Sequence, residues 1–285
     1  LPMFHVGGLN IQTTPAFYVG ATATIHRRFD PAELLRCIEA EKSTLVVLVP
    51  ATVQAVLAQP SWLETDISSL RLVNSGSSIV PLPQIMAFHD RGVPVGQVYG
   101  STETAPVAIY QKIENAWAKP GAAGKVGLHC ELRIVDNDDK DVEPGQSGEI
   151  LIKGGNVLYE YWGNEEATKE ALRDGWFYTG DIGYQDEDGD VWINDRKKDM
   201  INSGSENIYP AEIEAFIHEM ADIEDGVVVG KPDEKWGEVP VAVVMLKENA
   251  TLTESDFLGR FQDQLARFKH PKAVYFVGEL PRNAM

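Results

Sequence analysis

The residues best placed to do chemistry lie in QVYGSTETAP (residues 97–106), where a glycine, three hydroxyl residues and one carboxylate follow an apolar run. Glu103 offers a hard oxygen ligand of the kind that suits Mg²⁺. Tyr99 offers a flat face for a planar base, and Ser101 and Thr102 offer hydroxyls. A second turn of the same texture, LVNSGSSIVP (residues 72–81), adds Gly76, Ser77 and Ser78. Gly76 and Gly100 would let backbone pass close to a ligand. Each feature alone is common in purely structural turns, because Ser and Thr clusters often only cap helices. Together they describe a polar crevice that could receive a phosphorylated, base-bearing small molecule.

The flanking elements explain why two such turns would meet. STLVVLVP, LRLVNSG and VPVGQVYG read as strands, the first as a continuous apolar run covered on both faces. Helices are expected to alternate with them, one before the first strand opening at Asp30-Pro31 with Glu33 at its third position, one over residues 51–57 and one over 82–91 ending at Gly92. Strand–helix repetition implies a largely parallel sheet with right-handed crossovers, whose carboxyl edge is where ligands bind. After about residue 120 the texture becomes β-rich: HCELRIVDNDDKDV, GQSGEILIKG and a hairpin in IGYQDEDGDVWIND. DEDGD lacks the first acidic position and the helical flanks of a calcium loop, so a plain turn is expected. Beyond DRKKDM a helix over 210–220, two strands, a helix capped by Thr253 and Asp256, and KAVYFV make a small α+β domain. The expected fold class is therefore α/β: a parallel-sheet subdomain to about residue 119, a β-rich subdomain over 120–195, a hinge at 196–198, and a small α+β domain over 199–285.

Composition narrows the partners. The chain has 285 residues, 44% of them hydrophobic, enough to bury a substantial core. Its formal net charge of −18 argues against a nucleic-acid partner, which needs a basic face, and disfavours an anionic membrane surface. Local backbone N–H groups and a metal could still bind a phosphorylated small molecule. Two distant cysteines, Cys37 and Cys130, exclude a disulfide framework and a thiolate zinc cluster. They read as buried apolar residues and suit a reducing cytoplasm. No run reaches transmembrane length.

Six segments in order, LPMFHVGG, NSGSSIVP, QVYGSTET, GEILIKGGNVLYEYW, GWFYTGDIG and DRKKDMINSGSENIYPAEIE, resemble the AMP-forming acyl-CoA synthetases within the adenylate-forming enzymes. The resemblance spans essentially the whole chain. It implies ATP, Mg²⁺ and coenzyme A as cofactors, a small carboxylic acid as substrate, and a homodimer is left open. It implies that Tyr99 stacks on adenine, with Gly76, Ser77, Ser78, Gln97 and Gly100 around the nucleotide. Thr102 would contact phosphate and Glu103 would hold Mg²⁺. Asp181 would accept the ribose hydroxyls, Arg196 would contact the ribose, and Lys198 would sit at the hinge. His5 would border the acyl carboxylate, and Ser203, Gly204 and Ser205 would approach the pantetheine arm. In the family the small domain rotates between adenylation and thioester formation.

Two expected elements fall outside the 285 residues: the family's phosphate-cradling loop, upstream of LPMFH, and its adenylation lysine, beyond LPRNAM. The chain thus reads as part of a longer protein, weak or inactive in adenylation by itself. The acyl pocket is expected from Val6, Gly7, Ser75, Val98 and Val107. Many relatives carry glycine where Val98 stands, so its isopropyl group should narrow the pocket toward a medium-chain, branched or aryl, cinnamate-like acid. Adenylation for an acceptor other than coenzyme A, and a non-catalytic nucleotide-binding role, are the alternative readings.

Overall fold

The computed structural model describes residues 1–204 and 206–281. The chain packs as two compact units, one comprising Leu1–Thr179 with Gly183–Ile193, the other Asn194–Met285 with Gly180–Ile182. The short strand segment Gly180–Ile182, expected in the larger domain, thus groups with the smaller unit.

The first unit opens with consecutive helical turns, Val6–Gly8, a π-helical turn over Leu9–Thr13, and Thr14–Tyr18. Thr13 and Thr14 donate their hydroxyls to the carbonyls of Gly8 and Leu9, both at 2.9 Å, a back-bonding that bends such segments. A mixed sheet follows, ordered β1 (Leu45–Leu48), β2 (Leu72–Ser75), β3 (Val95–Tyr99), β4 (Ile109–Tyr110) and β5 (Lys125–Val126). The first three strands are parallel, as expected, while β4 and β5 add an antiparallel edge. The helices Pro31–Glu41, Pro50–Leu57 and Leu82–His89 bury Leu35, Ile38, Val53, Val56, Ile85 and Phe88 against Val73 and Val95. Proline opens the first two helices, and Asp30 caps the first by accepting from the Glu33 N–H at 3.0 Å.

The β-rich part is built on β6 (Cys130–Val135), β7 (Gly148–Gly154), β8 (Leu172–Arg173), β9 (Trp176–Gln185) and β10 (Val191–Arg196), with order β10-β9-β7-β6 and β8 beside β9. Ile134, Ile150, Ile152 and Val191 close its core with Ala108 and Ile109 from the β4 region. A helix over Glu165–Ala171, capped by Asn164 accepting from the Ala167 N–H at 3.1 Å, was not expected from the sequence.

The second unit pairs the hairpin β11 (Ile201–Ser203) and β12 (Glu206–Ile208) with the long hairpin β13 (Ile223–Asp233) and β14 (Gly237–Leu246), and β15 (Val274–Phe276) runs parallel to β14. The helix Pro210–His218 buries Ile213 and Ile217, one turn apart, in a core with Val244, Phe257 and Phe261. Among the described residues no helix is long and apolar enough to cross a membrane.

Candidate nucleotide and acyl site

Ser75 at the end of β2 lies in register with Gln97 of β3, and the strands are parallel. The turns that follow therefore leave the sheet side by side at its carboxyl edge, which brings residues 76–78 and 100–104 together. The two glycines serve the chain's own packing rather than only a ligand. A Cβ on Gly76 would lie 2.4 Å from the Val98 carbonyl oxygen, and one on Gly100 would lie 1.8 Å from that of Pro106. Ser77 adopts φ +72°, the left-handed region that costs a non-glycine residue energy. Ser77 and Ser78 are exposed. Ser75 is 1% exposed, and its hydroxyl has no partner among the described residues.

Glu103 sits in the 3₁₀ turn Thr102–Thr104, whose shape is fixed locally by the Ser101 N–H donating to Thr104 Oγ1 at 2.8 Å. The Tyr161 hydroxyl donates to Glu103 Oε1 at 2.9 Å, and the Leu158 N–H donates to the Glu103 carbonyl at 2.7 Å. Burial first, then donation to Glu103, pushes the Tyr161 phenol up to about 12, so it remains a donor at neutral pH. No lysine, arginine or histidine pairs with Glu103 among the described residues, and the carboxylate is half-buried beside the exposed Thr102. An ionic oxygen donor without a protein cation is what a hard divalent ion needs, so these residues fit Mg²⁺.

The other predicted residues of this unit make contacts within the fold. Gln97 is buried and donates its side-chain amide to the Ala122 carbonyl at 3.1 Å, which ties it to the fold. Tyr99 packs half-buried against the core around Ala108 and Ile109. Val98 and Val107 are half-buried, and Val98 pairs with Tyr110 across β3 and β4. His5 Nδ1 accepts from the Gly7 N–H at 3.1 Å, so the imidazole caps the helical turn carrying Val6 and the buried Gly7. The hydrogen bonds of His5 stay within residues 2–9.

In the second unit Arg196 Nε donates to Asp181 Oδ1 at 2.9 Å. Asp181 is buried while Arg196, Lys197 and Lys198 are exposed. Asp199 and Met200 N–H groups donate back to the Arg196 carbonyl, both at 3.1 Å, forming a turn around Lys198. Ser203 ends β11, and Gly204 has φ +69° with a Cβ position 3.1 Å from the Trp236 ring. The left-handed backbone favours glycine there, with the indole of Trp236 packed close beside it. Ser205 lies outside the described residues.

Four participants are not read from the sequence: Tyr161, Asn156, Trp236 and Lys119. The first two lie in the GEILIKGGNVLYEYW segment, so the motif itself was the available signal. Lys119 explains the acidic DEDGD turn: its Nζ lies 2.8 Å from Asp186, 2.7 Å from Asp188 and 3.1 Å from Asp190. The thiols of Cys37 and Cys130 are both pushed up by burial, which keeps them protonated, although both residues are half-buried rather than fully so. Cys37, Glu33 and His26 bring ligand-type atoms within 4.8 Å of one another, but both Glu33 oxygens are engaged by Arg36.

Residues 1–162 match the AMP-binding enzyme family and residues 212–285 match the AMP-binding enzyme C-terminal domain. The chain belongs to the AMP-binding enzyme family. It is 52% identical over 285 residues to the indoleacetate–CoA ligase of Aromatoleum aromaticum, covering 100% of this chain and 56% of that protein. Among solved structures, o-succinylbenzoate CoA synthetase from Bacillus subtilis with the acyl-adenylate intermediate OSB-AMP superposes with a TM-score of 0.91 at 34% identity, covering 100% of this chain and 57% of the other. The same enzyme in complex with ATP and magnesium ion gives 0.90 at 33% identity, covering 100% and 58%. The chain spans less than two thirds of the length of these relatives.

Proposed function

We propose that the protein carrying this chain is an ATP-dependent carboxylate–coenzyme A ligase acting on an aryl or similarly compact acid. The carrying observation is the sheet edge that sets the Ser77–Ser78 turn beside the turn of Tyr99 and Glu103, with Glu103 left without a protein cation among the described residues. The indoleacetate and o-succinylbenzoate ligases support the aryl class, as does the isopropyl group of Val98 beside Gly76.

In the first half-reaction a substrate carboxylate oxygen bonds to the α-phosphorus of ATP, and the bond to pyrophosphate breaks. In the second, the coenzyme A sulfur bonds to the acyl carbon, AMP leaves, and the thiol proton passes to solvent. Tyr99 stacks on the base, Gly76, Ser77 and Ser78 line its pocket, and Thr102 contacts phosphate. Glu103 would hold Mg²⁺, which when bound would supply positive charge to offset that on the departing pyrophosphate. Asp181 accepts the ribose hydroxyls and Arg196 borders them, while Ser203 and Gly204 face the coenzyme A arm. Lys198 would sit at the hinge, where the exposed, charged residues 196–198 suit a joint that moves.

The test uses the full-length polypeptide with ATP and Mg²⁺, following AMP release with 4-coumarate, indole-3-acetate or octanoate, with and without coenzyme A. Turnover that requires coenzyme A and favours the aryl acids is expected. Pyrophosphate release without thioester would assign another acceptor. A preference for octanoate would overturn the aryl class.

A further inference from the structure

We propose that Tyr161 and Asn156 are positioning residues that clamp the Glu103 turn, so that Glu103 presents its second carboxylate oxygen to a divalent cation. This rests on the reading of Glu103 as a metal ligand. One segment of the β-rich part reaches the turn at four points. Tyr161 Oη donates to Glu103 Oε1 at 2.9 Å, and the Leu158 N–H donates to the Glu103 carbonyl at 2.7 Å. Asn156 Nδ2 donates to the carbonyls of Thr104 at 2.7 Å and Val107 at 3.3 Å.

The bonds inside the turn, from Ser101 to Thr104 and from Ala105 to Thr102, shape its backbone but leave the Glu103 side chain unconstrained. Tyr161 alone fixes that side chain among the described residues. A carboxylate so held does not have to surrender its rotamer freedom when a cation arrives. The donor is also of the right kind. A neutral phenol fills one lone pair and leaves the charge in place, whereas a lysine or arginine would compete with the metal.

The clamp is itself supported. The Tyr161 N–H donates to Thr168 Oγ1 at 3.0 Å, and that hydroxyl donates to the Asn164 carbonyl at 2.8 Å at the start of the Glu165–Ala171 helix. The Cys130 thiol donates to Asn156 Oδ1 at 3.2 Å, which leaves the amide nitrogen facing the two carbonyls.

The experiment compares wild type, Tyr161→Phe and Glu103→Gln in the full-length polypeptide by calorimetric ATP binding, once with Mg²⁺ and once in EDTA. The readout is the metal-dependent gain in affinity. Glu103→Gln should abolish the gain. Tyr161→Phe should reduce it about tenfold, as expected for a hydrogen bond to a charged group, and leave affinity in EDTA unchanged. Hydrogen exchange at the Leu158 amide should quicken about tenfold in Tyr161→Phe, a check that needs no ligand. No gain in wild type, or a gain kept by Glu103→Gln, would remove the metal-ligand reading and the clamp with it. A gain lost in Glu103→Gln but whole in Tyr161→Phe would overturn the clamp alone. Equal weakening with and without Mg²⁺ would make Tyr161 a plain structural residue, and would overturn it too.

Discussion

Arg196 Nε lies 2.9 Å from Asp181 Oδ1, and the two side chains differ sharply in exposure, 58% against 12%. The pairing follows from backbone register, since the Lys197 N–H donates to the Gly180 carbonyl at 2.8 Å and draws the turn after β10 against β9. A mostly buried carboxylate is thereby matched by a guanidinium that is mostly in water.

That asymmetry predicts unequal mutants. If Asp181 accepts the ribose hydroxyls, losing its charged acceptor oxygens should lower ATP affinity about a hundredfold in Asp181→Ala. Arg196→Ala removes a partner already screened by solvent and should cost ten times less. Calorimetry on the full-length polypeptide decides; a larger loss in Arg196→Ala would give the ribose to the arginine.

Lys119 predicts an acid-stability profile. Burial alone would raise the Asp186 carboxyl, but donation from Lys119, the Trp192 indole and the Asp190 N–H outweighs it and holds the group at about 2, below its ordinary 3.8. A carboxyl with a depressed folded value stabilises the fold above its unfolded value and loses that contribution as pH falls through the folded one. The melting temperature should therefore drop between about pH 4 and pH 2. Lys119→Met should lower it at pH 7 and flatten that drop. An unchanged profile would show that the three carboxylates tolerate one another without the ammonium.

Glu214 carries the opposite sign. Burial raises its carboxyl, Asp195 and Asp225 add repulsion, and the Val228 N–H donation at 2.8 Å and His218 only partly offset them. The folded state holds this proton more tightly than the unfolded chain does. The group thus costs stability once pH rises through its ordinary 4.5 toward the raised value, and the full cost persists above it. Glu214→Gln keeps an acceptor for Val228 and discards the charge. Its melting temperature should exceed wild type at pH 7 and match it at pH 4. An equal gain at both values would point to packing instead of charge.

How much of this was legible in the sequence depends on how far each signal reaches along the chain. The strands ending at Ser75 and Tyr99 announce themselves as apolar runs stopped by glycine, so the ligand edge could be drawn from local pattern. The antiparallel strands Ile109–Tyr110 and Lys125–Val126 have two residues each, too few to carry a period. The opening helical turns contain Gly7, Gly8 and Asn10, poor helix formers that hide them. Glu103 reads as a candidate ligand by type, but its partner Tyr161 lies 58 positions away, and Lys119 lies 67 positions from Asp186. Such pairings are set by the tertiary fold, and no spacing rule reports them. The glycine requirement at 76 and 100 was legible, whereas its cause, close passage of Val98 and Pro106, was not.

Val98 offers the sharpest test of acid selectivity. One of its methyl carbons lies 3.1 Å from where a Cβ on Gly76 would stand, so its isopropyl group fills space directly beside the Gly76 turn. Removing it should admit a larger acid while leaving the turn backbone in place. A pocket change of one or two methylenes alters discrimination by about tenfold or more. Val98→Gly should therefore raise the kcat/KM ratio of a bulky acid over a compact one about tenfold, with Val98→Ala between. Glycine also weakens a strand by about 1 kcal/mol, which lowers the amount of folded enzyme but cancels from the ratio. An unchanged ratio across Val98, Ala and Gly would mean that the acid is sized by other walls, and the narrow-pocket reading of Val98 would be wrong.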